Sequence, residues 1–195
     1  MKGWTKTLVL VLAVGLVLTG CKQPTQLIND VQAAIDEVKK AGADKYAVEE
    51  FKKLEDAMKA ANDEIATQDK KFFKKFGTAK DMLAQVKTEA EALKAALPGK
   101  IEAAKTAAIR VQTEAKTAID EAKAILEKAP KGKGTQKDID ALKADLAGAE
   151  TAFAEIQTAL DAQDYIAAAD KAKAVKEMAT AVVDQVKAAI EKTKK

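Results

Sequence analysis

Between Ile101 and Ala129 the apolar positions are Ile101, Ala104, Ala108, Val111, Ala115, Ala118, Ala122, Ile125 and Ala129. Their spacing alternates between three and four residues. That spacing is a heptad seam, and it commits the backbone to helix, because an α-helix returns side chains to one face about every 3.5 residues. The same period carries Leu27–Val31–Ile35–Val38, Val48–Phe51–Leu54–Met58–Ala61–Ile65, Phe72–Phe76–Ala79–Leu83–Val86–Ala90–Leu93–Leu97, Ile139–Leu142–Leu146–Ala149–Phe153–Ile156–Leu160 and Tyr165–Ala168–Ala172–Val175–Ala179–Val182–Val186–Ala189. No stretch alternates as a half-buried strand would. Apolar residues make up 48% of the chain and aromatic ones only 4%, and much of the difference is alanine. Alanine, with the Lys and Glu that fill the other faces, has high helix propensity. The pattern predicts an all-α fold. We expect an elongated antiparallel bundle of coiled-coil-like hairpins with five or six long helices, many about 40 Å in length. Its core would be thin and rich in alanine.

Punctuation divides the bundle, which is expected over residues 27–195. Gly42 is a plausible stop for the first helix. Pro98-Gly99 is expected to end another, leaving a connecting helix over 99–129. Pro130-Lys131-Gly132-Lys133-Gly134 is the clearest loop. Gln68-Asp69 reads as a turn, and six antiparallel helices then follow. Without that turn, residues 44–97 form one helix of about 80 Å and the count is five.

A weak internal repeat relates 44–97 to 136–192. A shift of 95 lays Phe51 on Leu146, Met58 on Phe153, Ala61 on Ile156, Ile65 on Leu160 and Gln68-Asp69 on Gln163-Asp164. A shift of 96 lays Phe76, Ala79, Val86 and Ala90 on Ala172, Val175, Val182 and Val186. Each copy then reads as helix, short Gln-Asp turn, helix, with Asp69 and Asp164 capping the second helix of their copies.

Residues 1–20 have a different character. Lys2 and Lys6 precede an apolar run from Leu8 to Leu18, and no acid occurs before Asp30. A basic segment, then an apolar one, then small residues is the pattern of a secretory signal peptide. The run falls short of the roughly 20 apolar residues that a spanning helix needs. Leu18-Thr19-Gly20-Cys21 follows at once, and Cys21 is the only cysteine of the chain. These four residues resemble the lipobox of bacterial lipoproteins. The resemblance implies cleavage before Cys21, a diacylglycerol thioether on its sulfur and an acyl chain such as palmitate on its new amine. Residues 21–26 would form the lipidated tether. Lys22 stands where an Asp commonly signals inner-membrane retention, which implies the outer membrane, facing the periplasm, in a Gram-negative cell. The other reading is an ordinary secretory signal followed by a stray cysteine.

Ala159-Leu160-Asp161-Ala162-Gln163-Asp164-Tyr165-Ile166-Ala167-Ala168-Ala169 resembles bacterial envelope lipoproteins built from tetratricopeptide-like hairpins, in which an Asp-Tyr turn joins two Ala-rich helices. The first copy, with Asp69-Lys70-Lys71-Phe72, lacks the Tyr. The resemblance implies a fold and no activity.

The residue inventory argues against an enzyme. There is no histidine to move protons near neutral pH, and the single thiol is assigned to lipid. No phosphate loop, serine elbow or metal-spaced acid cluster is visible, so no cofactor is expected beyond the acyl groups. Lys and Arg number 33 against 30 Asp and Glu, and that balance leaves no basic excess for nucleic acid. Lys70-Lys71-Phe72-Phe73-Lys74-Lys75-Phe76 is the unusual stretch. Its phenylalanines either plug one end of the core beneath lysine stems or, with the lysines, touch anionic lipid, wall polymer or a small ligand. Lys195 resembles the C-terminal lysine by which murein lipoproteins attach to peptidoglycan; its other reading is a frayed basic helix end. The expectation is a non-enzymatic, lipid-anchored envelope protein that scaffolds or binds envelope components. Its partners would be the membrane, envelope proteins or peptidoglycan. The alternatives are a lipid- or small-ligand-binding bundle and a peptidoglycan tether.

Overall fold

The structure, a computed structural model, describes residues 22–129 and 136–192. These form six helices and, among the described residues, no strand. They are α1 (Thr25–Lys40), α2 (Ala43–Tyr46), α3 (Val48–Asp69), α4 (Gly77–Leu126), α5 (Gln136–Asp161) and α6 (Tyr165–Lys192). Helix α2 is a single turn, so five helices are long. The all-α expectation holds, and 44–97 is not one helix, because the chain leaves helical geometry after Asp69.

Pro98-Gly99 does not end a helix. Helix α4 runs unbroken for 50 residues through both. Proline lacks the N–H that would bond the Lys94 carbonyl, and its ring crowds that carbonyl. Both Pro98 and Gly99 are exposed, as is Lys94, so water can satisfy the freed carbonyl. The seam is buried on either side, at Leu93 and Leu97 in the first unit and Ala108 and Val111 beyond it. No α4 residue between Leu97 and Ala108 is buried.

The chain divides into two compact units, the first ending at Pro98 and the second starting at Gly99. In the first, Gln32, Ile35 and Lys39 of α1 line one groove with Phe51, Glu55, Met58 and Asn62 of α3, and the two helices run antiparallel. The Glu37 carboxylate of α1 accepts a 2.7 Å hydrogen bond from Lys94 of α4. The unit is thus an up-down-up set of three helix segments. Its core is Val31, Ile35 and Val38 from α1, Phe51, Leu54, Met58, Ala61 and Ile65 from α3, and Ala79, Leu83, Val86, Ala90, Leu93 and Leu97 from α4. These are heptad positions, but not every seam residue is covered: Leu27 is half-buried, Val48 is 54% exposed at the first turn of α3, and Phe72 is exposed.

The second unit repeats the arrangement. Gln112 of α4 bonds Gln157 of α5 at 3.3 Å, and Lys123 pairs with Glu150. Lys171 of α6 pairs with Glu155 of α5, and Lys176 of α6 with Glu114 of α4 at 2.8 Å. Ascending numbers on α4 therefore meet descending ones on α5, and the short turn of residues 162–164 sends α6 back antiparallel to α5. Ala108, Ala115 and Ala122 of α4 and Ala168, Ala172 and Ala179 of α6 are all fully covered. Small side chains at these positions let helix axes approach closely, and ridges of small residues set the separation.

Burial follows the internal repeat closely. Phe51 and Leu146, Ala61 and Ile156, Ala79 and Val175, Val86 and Val182, and Ala90 and Val186 are all core residues. Phe153 and Leu160 sit at the core margin opposite buried Met58 and Ile65. The turns differ. In the second copy Asp164 caps α6, accepting the Ala167 N–H on Oδ1 at 3.3 Å. Asp69 caps nothing of α4, which begins only at Gly77; its carboxylate instead accepts a 2.9 Å bond from Lys74.

Two left-handed residues close helices. Gly42, φ 95°, follows α1, and its N–H bonds the Lys39 carbonyl at 2.8 Å. Gln163, φ 57°, occupies the same place after α5; its N–H bonds the Leu160 carbonyl and the Asp164 N–H bonds the Ala159 carbonyl, both at 2.9 Å. That pair of bonds is a Schellman closure, where glycine is the usual occupant. Opposite outcomes are expected for exchanging the two residue types. Gly42→Ala should cost about 1–2 kcal/mol, from the left-handed backbone and a Cβ placed 3.3 Å from the Tyr46 ring. Gln163→Gly should gain about 0.5–1 kcal/mol. Urea unfolding of both variants checks the pair; a stabilised Gly42→Ala protein would contradict the assigned turn.

Candidate functional site

The sequence places its candidate residues at three points along the chain. Cys21 and Lys195 lie outside the described residues, as do the signal segment 1–20 and the Pro130–Gly134 loop. The third point, Lys70–Phe76, is described in full.

Helix α3 ends at Asp69, and the Lys71 N–H turns back to the Gln68 carbonyl at 3.0 Å. The chain then bends through Lys71, Phe72 and Phe73 and runs without regular structure to Phe76. Helix α4 takes up at Gly77, with the Phe76 carbonyl accepting the Lys80 N–H at 2.9 Å. The heptad spacing puts Phe72 and Phe76 one helical turn apart on a common seam. The bend separates them. Phe76 is fully buried, while Phe72 is 93% and Phe73 77% exposed. The expectation of a three-ring core plug holds for Phe76 alone. Nor do the three rings line one opening between helices, because two of them face solvent.

Phe72 and Phe73 touch each other edge to face, with ring centroids 4.9 Å apart and planes at 88°. Lys70, Lys71 and Lys75 around them are exposed. Lys74 is half-buried and bound to Asp69, which ties the end of the bend to the end of α3. Three exposed ammonium groups and two solvent-facing rings thus occupy one tight connection. Adjacent exposed phenylalanines are unusual on a soluble surface, where large apolar groups mark interaction sites.

A second feature escaped the sequence. Arg110, Val111 and Glu114 of α4 and Lys173, Lys176, Glu177, Thr180 and Asp184 of α6 line a surface groove of about 610 Å³ in the second unit. Arg110, the single arginine, pairs with Glu114, which also accepts a bond from Lys176. The Lys176 bond holds the Glu114 carboxyl below its ordinary pKa, against desolvation that raises it; the positive charges of Lys176 and Arg110 add to the lowering. The cations and acids of this groove are equal in number, so it offers no net field to an ionic ligand. Helical pitch on each strand of the pattern was legible, but the offset that brings Arg110 to Lys173 is a tertiary register.

Among the described residues no cluster of three or more His, Cys, Asp or Glu side chains is placed to hold a metal ion. No described helix is long and apolar enough to cross a membrane. No protein-family model, curated protein or solved structure matches the chain.

Proposed function

We propose that this chain is a bacterial lipoprotein, anchored to the cell envelope by acyl groups on Cys21, with a non-enzymatic structural or scaffolding role. The observation that carries it is Leu18-Thr19-Gly20-Cys21, the sole cysteine of the chain, directly behind a basic and then apolar segment. Two or three acyl chains give durable attachment where one is marginal, since each buried CH₂ contributes about 0.8 kcal/mol. The outer membrane is the favoured address, by the absence of Asp after Cys21.

The folded part supports a mechanical role more than a chemical one. Each unit is a three-helix bundle whose outer faces are paired Lys, Glu and Asp. Exposed pairs such as Lys59–Asp63 and Lys116–Asp120 contribute little individually. Two such helical units suit holding or spacing other envelope components.

Cys21→Ser tests the placement. With wild-type protein, metabolic labelling by palmitate is expected to mark the chain and fractionation to leave it with membranes. The Cys21→Ser protein should lose the label and leave the membrane fraction. An unlabelled wild-type chain, with the variant on the same membrane, would overturn the proposal.

A further inference from the structure

The Phe72–Phe73 connection and the start of α1 lie at the same end of the first unit. Only residues 41–47 separate α1 from α3, so the two helices run antiparallel, and residues 32–39 of α1 line one groove with residues 51–62 of α3. The start of α1 at Thr25 therefore lies toward the end where α3 finishes at Asp69 and the connection departs. The third helix agrees. Lys94 meets Glu37; about 25 Å of α4 separates Gly77 from Lys94, and about 18 Å of α1 separates Thr25 from Glu37. The start of α4, and the connection feeding it, therefore reach several Å beyond the start of α1. Pro24 is buried against the unit, although the sequence assigns it to a free tether. Three residues of chain then span at most about 11 Å from Pro24 to Cys21.

From this juxtaposition we infer that the Phe72–Phe73 corner is a second membrane contact: its two rings enter an anionic phospholipid surface beside the acyl groups on Cys21. The inference rests on the lipid anchor proposed above, which brings this end of the unit to the bilayer. Charge complementarity selects the lipid. Lys70, Lys71 and Lys75 are exposed around the rings, and a negative surface attracts them while the rings take the interfacial apolar layer. A wall polymer suits the corner less well. Rings at 88° to one another share no flat face on which one sugar chain could stack. Two attachments at one end, an acylated Cys21 and an aromatic corner, fix which way the first unit stands on the membrane, where a single flexible anchor does not.

The test uses the full chain with Phe73→Trp in a Trp4→Phe background, in vesicles of phosphatidylcholine alone or mixed with phosphatidylglycerol. Position 73 is exposed, so the exchange leaves the fold intact. Expected is an emission shift to shorter wavelength and quenching by brominated acyl chains, stronger with phosphatidylglycerol. Replacing Lys70, Lys71 and Lys75 with Gln should lower the inserted-to-free ratio by about fivefold per lysine at low salt. Emission typical of water, unquenched in vesicles that carry the protein, would overturn the inference. The intact mass of the same sample reads the anchor separately. Acylated protein with an unquenched indole at position 73 sinks the corner alone. Unacylated protein with a quenched indole sinks the anchor and leaves the corner standing. Failure of both sinks both.

Discussion

Phe76→Ala is expected to cost about 3–5 kcal/mol of unfolding free energy, while Phe72→Ala and Phe73→Ala each stay within about 0.5 kcal/mol of wild type. The three rings sit within five positions of one another and are chemically the same. What separates them is cover: Phe76 has no exposed surface, and the other two have most of theirs. Removing Phe76 leaves a cavity at the fully covered start of α4, where the ring is among the largest fully buried side chains. The cost depends on how far the walls can collapse. Urea unfolding followed by far-UV circular dichroism measures all three. Equal losses for the three variants would show that the connection is a helix with its rings inside, as the heptad spacing alone predicts.

Pro98→Ala is expected to stabilise the protein, by up to about 3 kcal/mol. Alanine restores the N–H to the Lys94 carbonyl and removes the ring that crowds it. Gly99→Ala should add about 1 kcal/mol, from helix propensity; a Cβ there meets nothing within 4 Å. Large gains from single surface substitutions are uncommon, and these are expected because two poor helix formers stand side by side within a helix of 50 residues. They also stand where α4 has no buried residue until Ala108, so tertiary packing contributes least at that point. Nothing in the packing requires either residue. The same urea titration checks both variants. A neutral or destabilised Pro98→Ala protein would show that the chain breaks at Pro98 and that α4 is two helices.

Much of the architecture was legible because the heptad is a local code. The positions of α1, α3, α5 and α6 that the period assigns inward are mostly buried, and Gly42 stops its helix as its φ preference suggests. The errors have a common cause: local chemistry was overruled by long-range packing. Pro98-Gly99 is a strong stop signal over a few residues, yet α4 continues through it and is buried again from Ala108. Lys70–Phe76 has helical spacing over a few residues, yet the chain must reverse there so that α3 and α4 can share a core. Asp69 looked equivalent to Asp164, and the longer first connection leaves it too far from α4 to cap it. Cross-helix partners such as Glu37–Lys94 and Glu114–Lys176 were invisible, since no sequence period encodes the offset between helices. The candidate corner was half legible: its residues stood out by composition, but only the fold separates the buried ring from the two exposed ones.

The most direct measurement is the intact mass of the native protein extracted from its envelope with detergent. It should equal the chain from Cys21 onward plus a diacylglycerol thioether and an amide-linked acyl chain, with a wall fragment added only if Lys195 is a tether. A chain that retains residues 1–20, or one that begins at Cys21 with a free thiol, would contradict the lipoprotein assignment and leave the two helical units without their membrane.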